Sequence, residues 1–287
     1  MTKNALEVNN LTAYLGDFAL RDINVELEQG TIMGLVGRNG AGKTTLIKTI
    51  LDMIPKAAGE VLFNGIPLYG NEVTVKAKIG VVYDKLVYPE NLKPGNIKNW
   101  MAPFYRAFDY DKFDKLMERF ELNPKKKLST YSKGMQMKFS IVMALCHDPD
   151  LVILDEPTAG LDPVARADVL DLLMELMQSE NKSLLFSTHI TSDLDKIADY
   201  LTIINEGKIV LSRSKDELLD TYALVQIDKA TMTDTLKSVL FGVKETAFGY
   251  VGLGKRNKVD HLKSIKTARP TIEDMIVYLS GEQSYAK

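Results

Sequence analysis

Nine consecutive residues in the first third of the chain have the composition of a phosphate-binding loop. Residues 37–44 fit the spacing G-x-x-x-x-G-K-[ST], and a second threonine follows. Glycines let backbone N–H groups converge on phosphate oxygens, and a helix that begins there adds the positive end of its dipole. The predicted nucleotide contacts are Gly37, Arg38, Asn39, Gly40, Ala41, Gly42, Lys43, Thr44 and Thr45.

Two residues of this loop have specific predicted roles. Lys43 is expected to reach the β- and γ-phosphates, and the Thr44 hydroxyl to ligate Mg²⁺. The alternative is a glycine-rich turn with an incidental lysine. That alternative is disfavoured because the motif lies between a predicted strand and a predicted helix.

An acidic pair follows an apolar run later in the chain. Residues 151–154 read Leu-Val-Ile-Leu and precede Asp155 and Glu156. A strand of this kind delivers Asp155 to the carboxyl edge of a sheet, where it can hold Mg²⁺ through water. Glu156 can then orient or deprotonate an attacking water. Such a pair is weak evidence alone and strong evidence after a phosphate loop.

Short elements must position these residues. Apolar runs bounded by turn signals predict strands at residues 31–36, 60–65, 79–83, 151–154 and 183–186. Helical periodicity predicts a helix at residues 46–54, which ends before Pro55, and another at 110–120. An aromatic-rich stripe at 97–108 predicts a third helix that continues despite Pro103. The order of strand, phosphate loop, helix and then alternating strands and helices indicates an α/β core with a helical insertion.

Further along the chain, capping residues predict where helices begin. Asp162 precedes Pro163 in the pattern of an N-cap followed by proline at the first helical position. Ser214 and Glu217 form a capping box. An amphipathic stretch at residues 272–279 predicts one more helix, whereas the pattern between 223 and 271 is uncertain.

Three further segments carry a family resemblance. Residues 131–136, Tyr-Ser-Lys-Gly-Met-Gln, resemble the LSGGQ signature of ATP-binding cassette (ABC) ATPases. Residues 159–162, Ala-Gly-Leu-Asp, look like the family's D-loop, and residues 187–189, Ser-Thr-His, look like its switch-histidine segment. All motifs keep the family order, and the resemblance covers about residues 5–222.

The resemblance implies a fold and a domain division. It implies a P-loop NTPase core with an ABC-type antiparallel β subdomain, an inserted α-helical subdomain at about residues 90–146, and a small C-terminal extension. We therefore expect an ABC ATPase domain at residues 1–222 and an accessory region at 223–287. The implied function is an ATPase subunit of a membrane ABC transporter.

The resemblance also implies roles for individual residues. Two such domains sandwich two ATP molecules head to tail. This arrangement would place four residues of one chain against the ATP that is bound to its partner: Ser132, Lys133, Gly134 and Asp162. His189 would bind the γ-phosphate and steady Glu156. Tyr14 resembles the aromatic that stacks on adenine, although a strand residue of this kind could equally belong to the core.

Two departures from the family pattern affect the predicted site. Asp84 stands where the family usually has a glutamine that contacts Mg²⁺ and senses the membrane subunit. In the signature, Tyr131, Lys133 and Met135 replace Leu, Gly and Gln, while the serine and the second glycine remain. The exporter branch often called ABC-2 has a similar signature, so export is expected.

Composition limits the partners. Hydrophobic residues make up 45% and charged residues 26%, which excludes a disordered or fibrous chain, and a net charge of −2 gives no indication of nucleic acid. The single cysteine, Cys146, has apolar neighbours and is expected to be buried in a protein of a reducing compartment. The N-terminal residues do not resemble a signal peptide, and no apolar run is long enough to cross a bilayer.

These observations predict a cytoplasmic protein held at the inner face of the membrane by transmembrane permease subunits. Its second ATPase subunit would be either an identical or a homologous chain. Two other classes of ABC protein are disfavoured. Non-transport ABC proteins carry a long coiled-coil insertion or tandem cassettes, and this chain has neither. A catalytically idle regulatory partner is disfavoured by the presence of Lys43, Asp155, Glu156 and His189.

The aromatic stripe suggests where a permease docks. Trp100, Phe104 and Tyr105 follow Asp84 closely, and in the family the adjoining cleft receives a short helix of the transmembrane chain. Large aromatics are typical interface anchors. We expect at least one of the three to be exposed and to line that groove; otherwise the whole stripe is core.

Overall fold

The computed structural model of the chain describes residues 3–180, 182–262 and 265–279, which form three β-sheets and the helices around them. The strands are β1 (Asn4–Leu15), β2 (Phe18–Glu28), β3 (Ile32–Val36), β4 (Lys56–Phe63), β5 (Ile66–Pro67), β6 (Ile79–Val82), β7 (Leu151–Asp155), β8 (Ser183–Thr188), β9 (Tyr200–Asn205), β10 (Lys208–Ser214), β11 (Tyr222–Ile227), β12 (Leu240–Thr246), β13 (Gly249–Lys255) and β14 (Lys266–Ala268). The helices are α1 (Lys43–Ile50), α2 (Glu72–Lys76), α3 (Pro94–Met101), α4 (Tyr110–Arg119), α5 (Lys133–Leu145), α6 (Pro163–Glu180), α7 (Thr191–Ile197), α8 (Lys215–Thr221), α9 (Asp234–Ser238), α10 (Arg256–Val259) and α11 (Ile272–Leu279).

The central sheet brings the predicted motifs to one edge. Its strand order is β10-β9-β3-β8-β7-β6, with antiparallel pairing only between β10 and β9. Strands β3, β7 and β8 are buried along their whole length, as expected of parallel strands covered on both faces. Val36 lies opposite Thr188, and Asp155 lies opposite Ser187. The phosphate loop, the acidic pair and the segment leading to His189 therefore leave the sheet side by side.

A second sheet, entirely antiparallel, packs on the first helix. Its order is β2-β1-β4-β5, and alternate residues of β2, including Ile23, Val25 and Leu27, are buried. These side chains share a core with Leu46 and Ile47 of α1. The predicted fold class, a P-loop core with an antiparallel β subdomain and a helical insertion, is confirmed.

The helical insertion contains α3, α4 and α5, between β6 and β7. Phe113 and Met117 of α4 pack with Phe139 of α5 in the largest core of the molecule. Two 3-10 turns, Ala102–Phe104 and Leu128–Thr130, complete the segment. The boundaries predicted at about residues 90 and 146 stay predictions.

Two predicted helices end earlier than expected. The stripe at 97–108 is not one helix, because α3 ends at Met101 and Pro103 lies in a 3-10 turn that stops at Phe104. Proline lacks the N–H that an α-helix would need there. Helix α1 ends at Ile50 rather than at Pro55, because Asp52 takes a left-handed conformation with φ of 56°. The N–H groups of Asp52 and Met53 then close the helix on Thr49 and Lys48, which is a Schellman motif.

The predicted helix starts are confirmed. Asp162 Oδ1 accepts hydrogen bonds from the backbone N–H groups of Val164 and Ala165 at the start of α6. Ser214 Oγ accepts from the N–H of Glu217 at the start of α8. Both side chains satisfy donors that the first helical turn leaves without an intrahelical partner.

A third sheet follows the cassette motifs in sequence. Its order is β12-β13-β11-β14, with every pair antiparallel. Helix α11 follows this sheet and packs against α7, with Ile272 and Met275 fully buried in the largest core. The accessory region predicted at 223–287 therefore shares a core with the central sheet, and its residues 280–287 lie outside the described part of the chain.

Candidate active site

The phosphate loop connects β3 to α1 in the predicted position. Gly42 precedes α1 with φ of 112°, and a Cβ atom there would lie 2.7 Å from the ring of Phe18, so only glycine fits. The first turn of α1 contains no acidic residue and its cap has no side-chain hydrogen bond. The loop therefore presents free N–H groups and the positive helix end to an anion.

Lys43, the first residue of α1, is held by two oxygens. Its Nζ donates to the carbonyl of Gly37 at 2.8 Å and forms an ion pair with Glu156 Oε1 at 3.1 Å. The lysine side chain is 6% exposed. A phosphate bound in the loop would compete with Glu156 for this ammonium group, because both carry negative charge.

Asp155 and Glu156 are positioned by a serine of the neighbouring strand. Ser187 Oγ donates to Asp155 Oδ1 at 2.7 Å and accepts from the N–H of Glu156 at 3.0 Å. Asp155 and Ser187 are buried, at 1% and 0% exposure. Glu156 has φ of 52°, a left-handed conformation that is uncommon for glutamate and typical of strained functional positions.

His189 completes the arrangement. Its Nδ1 lies 2.7 Å from Glu156 Oε2, and its backbone N–H donates to the same oxygen at 3.3 Å. One carboxylate therefore contacts Lys43 through Oε1 and His189 through Oε2. The histidine side chain is 44% exposed, so its other ring edge can reach a ligand.

Lys43, Glu156 and His189 line a cleft of about 740 Å³, which is within the usual range of ligand-binding sites. The predicted site residues at its wall are Arg38, Asn39, Gly40, Gly42, Lys43, Thr44, Thr45, Asp84, Lys133, Glu156 and His189. Gly37 and Ala41 are buried beneath the loop, and a Cβ at Gly37 would lie 2.4 Å from the carbonyl oxygen of Ile204. Those two residues shape the loop rather than face the cleft.

The donor set suits Mg²⁺. Thr44 and Asp84 are exposed at the cleft, and Asp155 lies at the adjoining strand end. Among the described residues, no cluster of three or more acidic, histidine or cysteine side chains could hold a metal ion. Mg²⁺ usually needs no such cluster, because one or two carboxylates, phosphate oxygens and water satisfy it. Thr44, Asp84 and Asp155 fit that pattern.

The aromatic residues at the cleft wall are Phe18 and Tyr83 rather than the predicted Tyr14. Tyr14 is 64% exposed near the end of β1, which contradicts the interpretation of it as a core residue. Its stacking on adenine stays a prediction. Phe18, across the same hairpin, lines the cleft beside Gly42 and was missed. Phe18 is the first residue of β2 and is close to the phosphate loop in space but distant from it in sequence, so residue spacing does not identify it.

The predicted partner-facing residues have contacts within their own chain. Ser132 Oγ caps α5 by accepting from the N–H of Met135, and a Cβ at Gly134 would lie 2.9 Å from Ala165, so that glycine lets α5 approach α6. Lys133 Nζ donates to the carbonyl of Ala159 at 2.6 Å. Contact of these residues with the ATP of a second chain stays a prediction.

Asp162 caps α6 and is exposed to solvent. Hydrogen bonds from the N–H of Ala165 and, secondarily, of Val164 hold the pKa of its carboxyl below the usual value. The carboxylate is therefore charged at neutral pH and caps α6. It is also exposed, so a second chain could reach it.

Comparison with known proteins places these motifs in a family. The sequence profile described as "ABC transporter" matches residues 20–159. The chain is 32% identical to the bacitracin transport ATP-binding protein BcrA of Bacillus licheniformis, over 96% of this chain and 97% of that protein. It is 30% identical to the ABC transporter ATP-binding protein YtrB of Bacillus subtilis, over 74% of this chain and 72% of that protein.

A solved structure shows the same fold. The structure described as the ATP-binding subunit of an ABC transporter superposes with a TM-score of 0.67 at 28% sequence identity. The match covers 75% of this chain and 91% of the solved chain. The part of this chain that matches is therefore almost a whole subunit of that kind.

Proposed function

This chain belongs to the ABC transporter family, as an ATP-binding subunit that hydrolyses ATP, and from that premise we propose that it dimerises head to tail around two ATP molecules to drive export. The observation that carries the proposal is the position of Glu156. Its carboxylate lies between Lys43 at 3.1 Å and His189 at 2.7 Å, at the wall of the phosphate-loop cleft. A base held beside the predicted γ-phosphate position can act on an attacking water.

In the proposed reaction, the N–H groups of the phosphate loop bind the β- and γ-phosphates and Lys43 neutralises their charge. Thr44, Asp155 and Asp84 would hold Mg²⁺, which when bound stabilises charge on the phosphate oxygens. Glu156 orients a water whose oxygen bonds to the γ-phosphorus while the bond to the β–γ bridging oxygen breaks. The water proton passes to Glu156, and ADP and phosphate are the products. His189 holds Glu156 in place and contacts the γ-phosphate.

The second chain would complete each site. Ser132, Lys133, Gly134 and Asp162 are the residues proposed to face the ATP of the partner subunit. The N-terminus of α5, where Ser132 is the cap, can interact favourably with phosphate, because it presents free N–H groups. The partner is a second copy of this chain or a homologous ATPase subunit.

ATPase subunits of this family work with transmembrane permease components. None of the helices in the described part of this chain is long and apolar enough to cross a bilayer. We propose that permease subunits cross the membrane and hold this chain at the cytoplasmic face. Transport is supported by the similarity to the bacitracin transport ATP-binding protein of Bacillus licheniformis, which covers nearly all of both chains, and the ABC-2-like signature at residues 131–136 supports export as the direction.

A groove beside the central sheet is the proposed permease contact. It has a volume of about 310 Å³ and is lined by apolar and aromatic side chains that include Met53, Val87 and Tyr105. Trp100 and Phe104, at 55% and 73% exposure, lie on the adjoining α3 and 3-10 turn. Only Tyr105 of the three predicted aromatics lines the groove itself. The exposed pair would extend the contact surface beyond it.

We further propose the predicted division of the chain, with the ATPase unit at 1–222 and the accessory region at 223–287. All of the third sheet except Tyr222, the first residue of β11, lies within the second segment. The contact between α11 and α7 joins the two segments through a shared core. We propose that residues 223–287 serve packing or dimer contacts rather than chemistry.

The decisive experiment measures the ATPase rate of the purified chain at increasing protein concentration with Mg·ATP in excess. Two chains complete each proposed site, so the rate per chain should rise with concentration until the dimer is saturated. Lys43→Ala is the control that should not hydrolyse ATP. A rate per chain that stays constant where sedimentation shows monomers contradicts the head-to-tail dimer. Activity that appears only after a homologous ATPase subunit is added identifies a heterodimer.

A further inference from the structure

A buried carboxylate behind the proposed site joins three segments of the chain. Asp193, on α7, is 1% exposed. Its Oδ2 accepts a 2.6 Å hydrogen bond from Thr158 Oγ1, and its Oδ1 accepts a 2.6 Å bond from Arg166 Nε. Arg166 Nη2 lies 2.5 Å from the same Oδ1 and donates to Ser192 Oγ at 2.6 Å. Both carboxylate oxygens of Asp193 are therefore engaged.

The three segments are those that carry the chemistry. Thr158 is two residues after Glu156. Asp193 is four residues after His189. Arg166 lies near the start of α6, which leads away from the same loop as Thr158. The network thus ties the segment that holds Glu156 to the segment that holds His189, at a point outside the cleft.

Because the network is buried, its charges and hydrogen bonds must be satisfied within the protein. A carboxylate out of water is strongly destabilising unless it is paired and its oxygens accept hydrogen bonds. Arg166 supplies the compensating charge, and Thr158, itself 1% exposed, supplies a hydroxyl with no alternative access to solvent. A shift of either segment would break a buried charge-assisted hydrogen bond, so the network fixes their relative position.

We propose that Asp193 is a positioning residue for ATP hydrolysis, acting with Arg166 and Thr158 to keep His189 and Glu156 at their 2.7 Å separation. None of the three network residues is among those that line the cleft. Their effect is on catalytic geometry, where a misplacement of about 1 Å can cost on the order of 100-fold in rate. The inference rests on the proposed roles of Glu156 and His189.

The experiment compares Thr158→Val with Thr158→Ser. Valine keeps the volume of threonine but removes the hydroxyl, whereas serine keeps the hydroxyl. Thr158→Val should lower kcat for ATP by about 10-fold or more, with the Kd for ATP unchanged, because the phosphate loop is untouched. Thr158→Ser should recover most of the lost rate. Equal kcat in Thr158→Val and the parent protein overturns the proposal, as does failure of serine to restore activity.

A double-mutant cycle separates positioning from general structural support. Thr158→Val and Asp193→Asn are each combined with His189→Ala, and kcat is compared with that of the single variants. If the network acts through the Glu156–His189 contact, its removal should cost little once His189 is absent. Additive losses in kcat overturn the proposal. Should Asp193→Asn fail to fold, the Thr158→Val cycle decides alone.

A separate control distinguishes this inference from the proposed function. Glu156→Gln with parental turnover would remove the base on which both depend. An inactive Glu156→Gln with additive network variants would leave the proposed function intact and remove only the positioning role.

Discussion

The hydroxyl of Ser187, on β8, lies 2.7 Å from the carboxylate of Asp155 at the end of β7 and donates a hydrogen bond to it. The same oxygen accepts from the N–H of Glu156. A single hydroxyl therefore orients the proposed metal carboxylate and the backbone of the proposed base. Groups that orient the ligands of a metal commonly change its affinity or the activity by about 10- to 100-fold when removed.

Ser187→Ala is expected to raise the Mg²⁺ concentration needed for half-maximal ATPase activity by about 10-fold. The reason is that Asp155 loses the donor that fixes its orientation. Ser183→Ala is the matched control, because Ser183 is on the same strand and is also buried, at 2% exposure. Its hydroxyl accepts a hydrogen bond from the N–H of Gly30, at the end of β8 opposite to Ser187. The control should lose stability without a change in Mg²⁺ dependence. Parallel Mg²⁺ titrations of both variants test this, and equal curves would contradict the role of Ser187.

Glu156→Gln is expected to lower ATP turnover on the order of 100-fold or more, because the variant lacks the general base. ATP binding should be at least as tight as in the parent protein, because the amide no longer forms an ion pair with Lys43. Bound ATP should then accumulate in a dimer. Single-turnover hydrolysis and sedimentation in the presence of ATP measure the two effects. Turnover close to that of the parent protein would show that Glu156 is not the base.

Asp84→Ala is expected to weaken Mg²⁺-dependent turnover more than nucleotide binding, because Asp84 lines the same cleft as Thr44 and carries an oxygen donor. It should also uncouple hydrolysis from a permease partner. Asp84→Gln restores the residue usual in the family and is the matched comparison. ATPase rates across a Mg²⁺ titration check the role, and superimposable curves for the parent and the alanine variant would reject Asp84 as a ligand.

Alanine variants at Trp100, Phe104 and Tyr105 are expected to weaken assembly with the permease, by about 2 kcal/mol or more where the side chain is an anchor. Trp100 and Phe104 should do so without loss of fold, because both are largely exposed. Co-purification with the permease measures assembly, and Trp100 fluorescence quenched by acrylamide measures its exposure. Full assembly by every folded variant would show that these aromatics do not contact the permease.

The thiol of Cys146 is expected to resist modification in the folded protein. It is fully buried, and burial raises its pKa to about 12, so almost no thiolate is present at pH 8. Ellman's reagent should label it only after unfolding, with one thiol per chain. Rapid stoichiometric labelling of the native protein at pH 8 would contradict this expectation.

The parts of the site that follow a strand directly could be predicted from sequence. The phosphate loop and the pair Asp155–Glu156 are contiguous motifs whose position depends on one strand end. Ser187 and Asp193 could not be assigned roles in this way. Ser187 reaches Asp155 through the register between β7 and β8, and Asp193 reaches Thr158 through the packing of α7 beside α6. Both relationships join residues about thirty positions apart, which periodicity and spacing do not specify.

The fold errors have local causes. The stripe at 97–108 has helical spacing, but Pro103 cannot continue an α-helix, so the chain tightens into a 3-10 turn and Tyr105 becomes extended. The end of α1 was assigned to Pro55, whereas the left-handed conformation of Asp52 ends the helix earlier. Asparagine and aspartate tolerate that conformation better than most residues, and this is the signal that the sequence offered.

The packing of α11 against α7 has a consequence for folding during synthesis. Helix α7 follows His189 directly, yet the side chains that cover it, Ile272 and Met275, belong to a much later part of the chain. Synthesis proceeds at roughly 5–20 residues per second, so several seconds pass between the synthesis of α7 and that of α11, which covers the apolar face of α7. The growing chain thus exposes an apolar surface close to His189 until α11 has been synthesised, and chaperones would protect the chain during that interval.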